Sequence, residues 1–193
     1  MSESKMKMQL NKLLVFLLII GIISCIGYHS LAKNKNESIK KIERLNNQTF
    51  TTLDFESKIG STKENIDIVW NYILKDLQVH NANEAKEKFN VQNENIITKS
   101  VDLNDDGKND ILYIVFASYY WGTAGYSLGI LENLGNKKYK NISYIINFEP
   151  KEPVIILNKK FNGFKIIKLW GSSAENFEKT LKYNKKFGLY CES

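Results

Sequence analysis

The chain has 193 residues, with 27 Lys and Arg against 21 Asp and Glu for a formal net charge of +6, and is 43% apolar and 12% aromatic. These proportions exclude wholesale disorder and suit one domain with its own core plus a helical appendage, while two cysteines (Cys25, Cys191) and two histidines exclude a disulfide scaffold and a structural zinc site. Arg44 is the only arginine, and a chain so poor in the side chain that grips phosphate and guanine in a bidentate fork is not read as a nucleic-acid binder despite its positive charge.

Residues 1–32 have the layout of a targeting segment. Lys5, Lys7 and Lys12 precede an unbroken apolar run, Leu13 to Ile23, of the length of a signal-peptide hydrophobic region. Three readings of the residues after this run stay open. Ile22-Ile23-Ser24-Cys25 resembles a bacterial lipobox, with Cys25 the acylated residue, and the position of Cys25 directly after the run favours this reading. Ser30-Leu31-Ala32 would suit ordinary cleavage. An uncleaved transmembrane helix from Leu13 to about Leu31 is the third, though Ser24, Tyr28, His29 and Ser30 weaken its second half. Lys33, Lys35, Lys40, Lys41 and Arg44 after the run argue against an uncleaved anchor with its domain outside. All three attach the chain to the membrane or export it.

Residues 33–60 read as a polar tether, with a thin helical stripe at Ile39, Ile42 and Leu45. A helix should start at Ser61-Thr62-Lys63-Glu64, read as a capping box with Ser61 as N-cap. Its apolar face is Ile66, Val69, Trp70, Ile73, Leu74 and Leu77, with Trp70 as anchor. From Ile96 the period shortens to two. Strands are expected over 96–103, 111–118, 126–132, 139–148, 154–157, 164–170 and 177–183, punctuated by Asp106-Gly107, Gly122 with Gly125, Gly135-Asn136, Pro150 with Pro153, and Asn162-Gly163. The expected fold class is α+β: one capped amphipathic helix packed on an antiparallel meander of about six to seven strands, over residues 61–193. Ile111–Phe116 is apolar on both faces and should be a central strand under the helix. Residues 111–193 carry 12 Lys and 6 Glu; this excess reads as a solvated surface, or as a face for an acidic partner or membrane headgroups.

The sharpest motif is Asp102-Leu103-Asn104-Asp105-Asp106-Gly107-Lys108-Asn109-Asp110. Asp102, Asn104, Asp106, the Lys108 carbonyl and Asp110 alternate so that their oxygens could converge on one Ca²⁺, and Gly107 permits the turn. The twelfth position is Tyr113, where an EF-hand has a bidentate Glu. Any calcium site would therefore be weak, on the order of 10⁻⁴–10⁻³ M. The alternative is an acidic turn whose Asp and Asn side chains bind their own backbone. Backed by Ile-Leu-Tyr-Ile-Val, the loop resembles the calcium loops of FG-GAP and VCBS repeats and of dockerins. With Tyr119–Tyr126, Pro153–Leu157, Asn162-Gly163-Phe164-Lys165 and Leu181–Tyr190, the pattern is similar to small exported bacterial lipoproteins and envelope proteins that carry a single such β domain. The resemblance implies a fold and a location but no reaction. In that group two cysteines often flank the glycine turn; Trp121 and Tyr126 stand in those places here.

Tyr119, Tyr120, Trp121 and Tyr126 form the one dense aromatic cluster, either a contact patch for a partner or hairpin side chains folded onto the sheet. No Gly-x-Ser-x-Gly or His-Glu-x-x-His motif occurs, and His29 and His80 stand in no catalytic context. The expected function is a membrane-tethered extracytoplasmic binding module, stabilised by Ca²⁺, without an organic cofactor and not an enzyme, with an inhibitor or immunity role within that class. An architectural envelope protein is the alternative, and an envelope hydrolase the least favoured.

Overall fold

The computed structural model describes residues 50–122, 125–143, 146–171 and 178–193. The targeting segment, Cys25 and most of the expected tether lie outside the described residues. The protein is α+β, with two α-helices among the described residues and mostly antiparallel sheets. Among the described residues no helix is long and apolar enough to cross a membrane.

The domain begins earlier than residue 61. Phe50–Leu53 form a strand, β1, and Phe55 behind it is fully buried. The alternation in Phe50-Thr-Thr-Leu is too short to stand out in a polar stretch, and pairing with a distant strand decides it. Helix α1 (Lys63–Asp76) comes next, capped by Thr62, whose hydroxyl accepts from the Asn65 N–H, and not by Ser61 as the sequence suggested. Ser61 is taken up elsewhere. Its hydroxyl donates to the Thr98 carbonyl and accepts from the Thr98 N–H, 3.1 and 3.0 Å away. Val69 and Ile73 are the buried anchors of α1, while Trp70 is half-buried with its indole N–H on Asn93 Oδ1 at 2.6 Å. A second helix, α2 (Ala82–Phe89), was not expected. It is short and polar, starts at an Asn81 cap and stops at Asn90 in the left-handed conformation.

The strands do not run as one meander. β2 (Ile96–Val101), β3 (Asp110–Val115), β6 (Gly129–Gly135) and β7 (Lys138–Asn141) form one sheet in the order β2-β3-β6-β7. β9 (Val154–Phe161), β10 (Phe164–Trp170), β11 (Glu178–Asn184) and β12 (Leu189–Glu192) form a second, with β1 added at its far edge beside β9. Between β3 and β6 the chain makes an excursion through β4 (Trp121–Gly122) and β5 (Gly125–Ser127), which pair with β8 (Asn147–Phe148) in a small third sheet. Beyond β7, the Ile142 carbonyl accepts from the Tyr190 N–H and Ser143 forms one parallel bridge with Tyr190, joining the two larger sheets at that edge.

β3 is the interior strand that its sequence demanded. Leu112 and Ile114 point into the core between the two large sheets, with Ile130, Ile156, Ile167, Leu181 and Tyr190. Ile111 and Val115 point the other way, into the layer formed by α1 and α2 with Val69, Ile73, Ala85 and Val91. Full burial of each aliphatic side chain contributes about 1.5–3 kcal/mol, so this double-sided strand holds both layers. The five-stranded sheet is apolar on both faces too. Ile155, Leu157, Ile166 and Trp170 alternate with the core-facing residues and are at most 6% exposed.

Candidate functional site

The Asp102–Asp110 motif is the turn of the β2–β3 hairpin, and its short polar side chains bind its own backbone. Asp102 Oδ1 accepts from the N–H groups of Asn104, Asp105 and Asp106, and Asp102 Oδ2 from that of Gly107 at 2.8 Å. Asn104 Oδ1 accepts from the Asp106 N–H. Asp106 takes the Lys108 N–H on one oxygen and the Lys108 ammonium on the other, 2.9 and 2.8 Å away. Gly107 sits at φ +82°, where a side chain would be strained, as the turn requires.

Asp110 closes the base of the loop. It is fully buried, its Oδ2 accepting from the Leu103 N–H at 2.9 Å and its Oδ1 from the Asn133 N–H of β6 at 2.8 Å. Burial pushes its carboxyl up to about 6, against the pull of those two N–H groups, and the charges of Asp102 and Glu132 push the same way. The expected twelfth ligand position, Tyr113, faces the helix layer, with its hydroxyl raised chiefly by burial.

The sequence reading missed two lysines that grip this loop from the opposite sheet. Lys160 and Lys165 flank the β9–β10 turn, where Asn162 and Gly163 both have positive φ. Their ammonium groups straddle Asp105, at 2.6 Å from Oδ2 and 2.7 Å from Oδ1. Lys160 also donates to the Asn104 carbonyl and Lys165 to the Asp102 carbonyl, at 2.7 and 2.8 Å. The signal was present: a two-residue Asn-Gly turn pairs 161 with 164 and hence 160 with 165. What the sequence withheld is that Asp105 lies between them. Both lysines, with Lys108, hold the carboxyls of Asp105 and Asp106 below the usual carboxylate range.

A calcium ion takes about six to eight oxygen ligands. As they stand, the oxygens of Asp102, Asn104, Asp106 and Asp110 face backbone N–H groups or the Lys108 ammonium. Among the described residues no group of three or more His, Cys, Asp and Glu is placed to hold a metal ion.

The aromatic cluster divides. Tyr120 ends a 3₁₀ turn (Ser118–Tyr120) and packs against the helix layer. Its hydroxyl is buried, and burial, together with the nearby Asp76 carboxylate, raises it well above its ordinary value. Tyr126 packs on the inter-sheet core, edge-on to Phe116 at 4.8 Å. Trp121 is a strand residue paired with Tyr126. Tyr119 projects: it is 53% exposed and braced edge-on by Phe89 of α2 and by Tyr120, each at 5.2 Å. An open groove of about 760 Å³ runs between α1 and the β6–β7 hairpin, past Glu64, Asp67, Asn71, Lys137 and Tyr139, and reaches the acidic loop at Lys108.

No family model, curated protein or solved structure matches the chain. The likeness to VCBS and FG-GAP loops therefore rests on the residues of the motif alone. Cys191, near the C-terminus, is a free half-buried thiol whose Sγ contacts the Leu189 carbonyl at 3.8 Å.

Proposed function

We propose that the protein is an exported, membrane-attached binding module, acylated at Cys25 and engaging a protein partner of the envelope through the corner formed by Tyr119 and its supports. The observation that carries this reading is the posture of Tyr119. A tyrosine held by two edge-on rings presents a large amphipathic surface with little side-chain entropy left to lose, the property of an interface anchor. The short strands β4 and β5, paired with each other, follow it in the chain.

Two experiments test the two halves. Cys25→Ser should move the protein from the membrane fraction and change its mature mass; an unchanged mass and fraction would retire acylation. A photo-crosslinking residue placed at Tyr119 in living cells should give one discrete adduct, and Tyr119→Ala should abolish partner binding while shifting the melting temperature little. An unaltered adduct pattern in a Tyr119→Ala background, probed from a neighbouring site, would remove this corner from consideration.

A further inference from the structure

We infer that the chain's own lysines serve as the cation of the Asp102–Asp110 loop, so that the β2–β3 hairpin closes, and is clasped to the opposite sheet, without a metal ion.

The inference rests first on a charge arrangement that needs explaining. Lys160 and Lys165 are directly opposite each other on β9 and β10, and two like charges on a cross-strand pair repel. The tight turn at Asn162-Gly163 prevents them from drifting apart. The arrangement is favourable only because one carboxylate lies between them, with one oxygen of Asp105 on each ammonium. Asp105 has a left-handed backbone, φ +59°.

The second ground is the match of oxygens to nitrogens. Calcium loops direct carboxylate and carbonyl oxygens at one divalent ion. Here the two oxygens of Asp105 and the carbonyls of Asp102 and Asn104 are shared between two ammonium nitrogens, all within 2.6–2.8 Å. Lys108 takes the remaining side, bonded to Asp106 and close enough to Asp102 and Asp110 for both to raise it. Two of the four aspartates, Asp105 and Asp106, thus pair with three ammonium groups from within the chain. A divalent ion entering the loop would face those three positive groups and would have to displace N–H donors from Asp102 and Asp110.

The third ground is topological. The loop belongs to the β2-β3-β6-β7 sheet and the two lysines to the five-stranded sheet. The Lys165 N–H also donates to the carbonyl of buried Leu103, at 2.7 Å. Backbone and side-chain bonds together fasten the two sheets where the hairpin crosses the end of their shared core. The clasp joins the hairpin to the opposite sheet through the Asp105 carboxylate and the carbonyls of Asp102 and Asn104.

The test is a set of thermal melts of the full chain in detergent, with EDTA and with millimolar Ca²⁺ or Mg²⁺, beside Asp105→Asn and the double variant Lys160→Met/Lys165→Met. The wild type should melt at one temperature in all three buffers. Both variants should melt several degrees lower, and combining them should lower the melting temperature little further, because each removes the same contact. Raised salt should lower the wild type toward the variants. Equilibrium dialysis of the wild type against radioactive Ca²⁺ keeps the inference refutable if a variant does not fold, and it should show no bound ion at millimolar concentration. A Ca²⁺-specific rise in melting temperature, or one equivalent of bound Ca²⁺ lost in Asp102→Asn, overturns the inference. So does an unchanged melting temperature for the lysine double variant.

Discussion

Two residues show how narrowly single positions are specified. Asp110 is a buried carboxylate with same-sign neighbours in Asp102 and Glu132 and with Tyr190 and Tyr139 close by, and the Lys108 ammonium feels its charge. Its carboxyl is raised from an ordinary 3.8 to about 6. Between those values the folded state keeps a proton that the unfolded chain has released, so stability from this group is full below the window, falls as pH rises through it, and is level above it. Melts of the wild type across that range should show this slope, and Asp110→Asn should flatten it while lowering stability throughout, since an amide can serve only one of the two N–H donors. Gly129 is the second case. It pairs with Tyr113 across β3 and β6, and a Cβ at this position would stand 2.2 Å from the tyrosine ring. Gly129→Ala should therefore cost about 1–3 kcal/mol or more in urea unfolding, and a smaller residue at 113 should restore part of the loss.

At the scale of elements, the segment 54–62 solves an edge problem. β2 is an edge strand of its sheet, and an open edge invites pairing with another chain. Ser61 satisfies both backbone groups of Thr98 on that edge. One residue on, Lys99 is buried with its ammonium on the carbonyls of Ser57 and Ile59, at 2.8 and 2.6 Å. Burial lowers this lysine below its usual value, and its contact with two carbonyls and the face of Phe55 keeps the segment laid along the sheet. Ser61 and Thr62 are thus separable by experiment. Thr62→Ala should remove a helix cap at a cost of about 1 kcal/mol. Ser61→Ala should expose the strand edge, lower stability by about 1–3 kcal/mol, and raise the tendency to aggregate on heating, which light scattering would track.

For the molecule as a whole, β1 and Phe55 are the first part of the domain and not the end of a stalk. Phe55 is buried against Phe148 at a ring separation of 5.9 Å, and Leu53 lies in the same core beside Val154. Phe55→Ala should cost about 3–5 kcal/mol, a large share of the stability of a domain this size. A fragment starting at Gln48 should accordingly melt cooperatively, whereas one starting at Ser61 should lose the cooperative transition in calorimetry. The whole-molecule view also accounts for part of the positive charge of the C-terminal half. Lys160 and Lys165 share Asp105, Lys168 meets Glu178 and Lys179 meets Glu192.

Periodicity and turn chemistry are local, and the features that depended on them were legible in the sequence. The α+β class, helix α1, the two-faced strand β3 and the hairpin turns at Gly107 and Gly163 all arise from residues within a few positions of one another. The acidic loop was legible as a motif, down to the reading in which its side chains bind their own backbone. The features that could not be read there depend on residues far apart in the chain. Phe50–Leu53 is a strand because β9 accepts it, and Ser61 leaves the helix cap because Thr98 offers two unmet backbone groups. Tyr119 and Tyr120, adjacent in sequence, divide between solvent and core because α2 packs beside one of them. Asp105 meets Lys160 and Lys165 only when two sheets face each other. By itself the sequence determined helix α1, the two-faced strand β3 and the turns at Gly107 and Gly163, because short-range sterics and alternation decide those, but not strand β1 or helix α2. The tertiary structure decided which side chains neutralise the loop, because charge complementarity acts through space across 55 to 60 positions of chain.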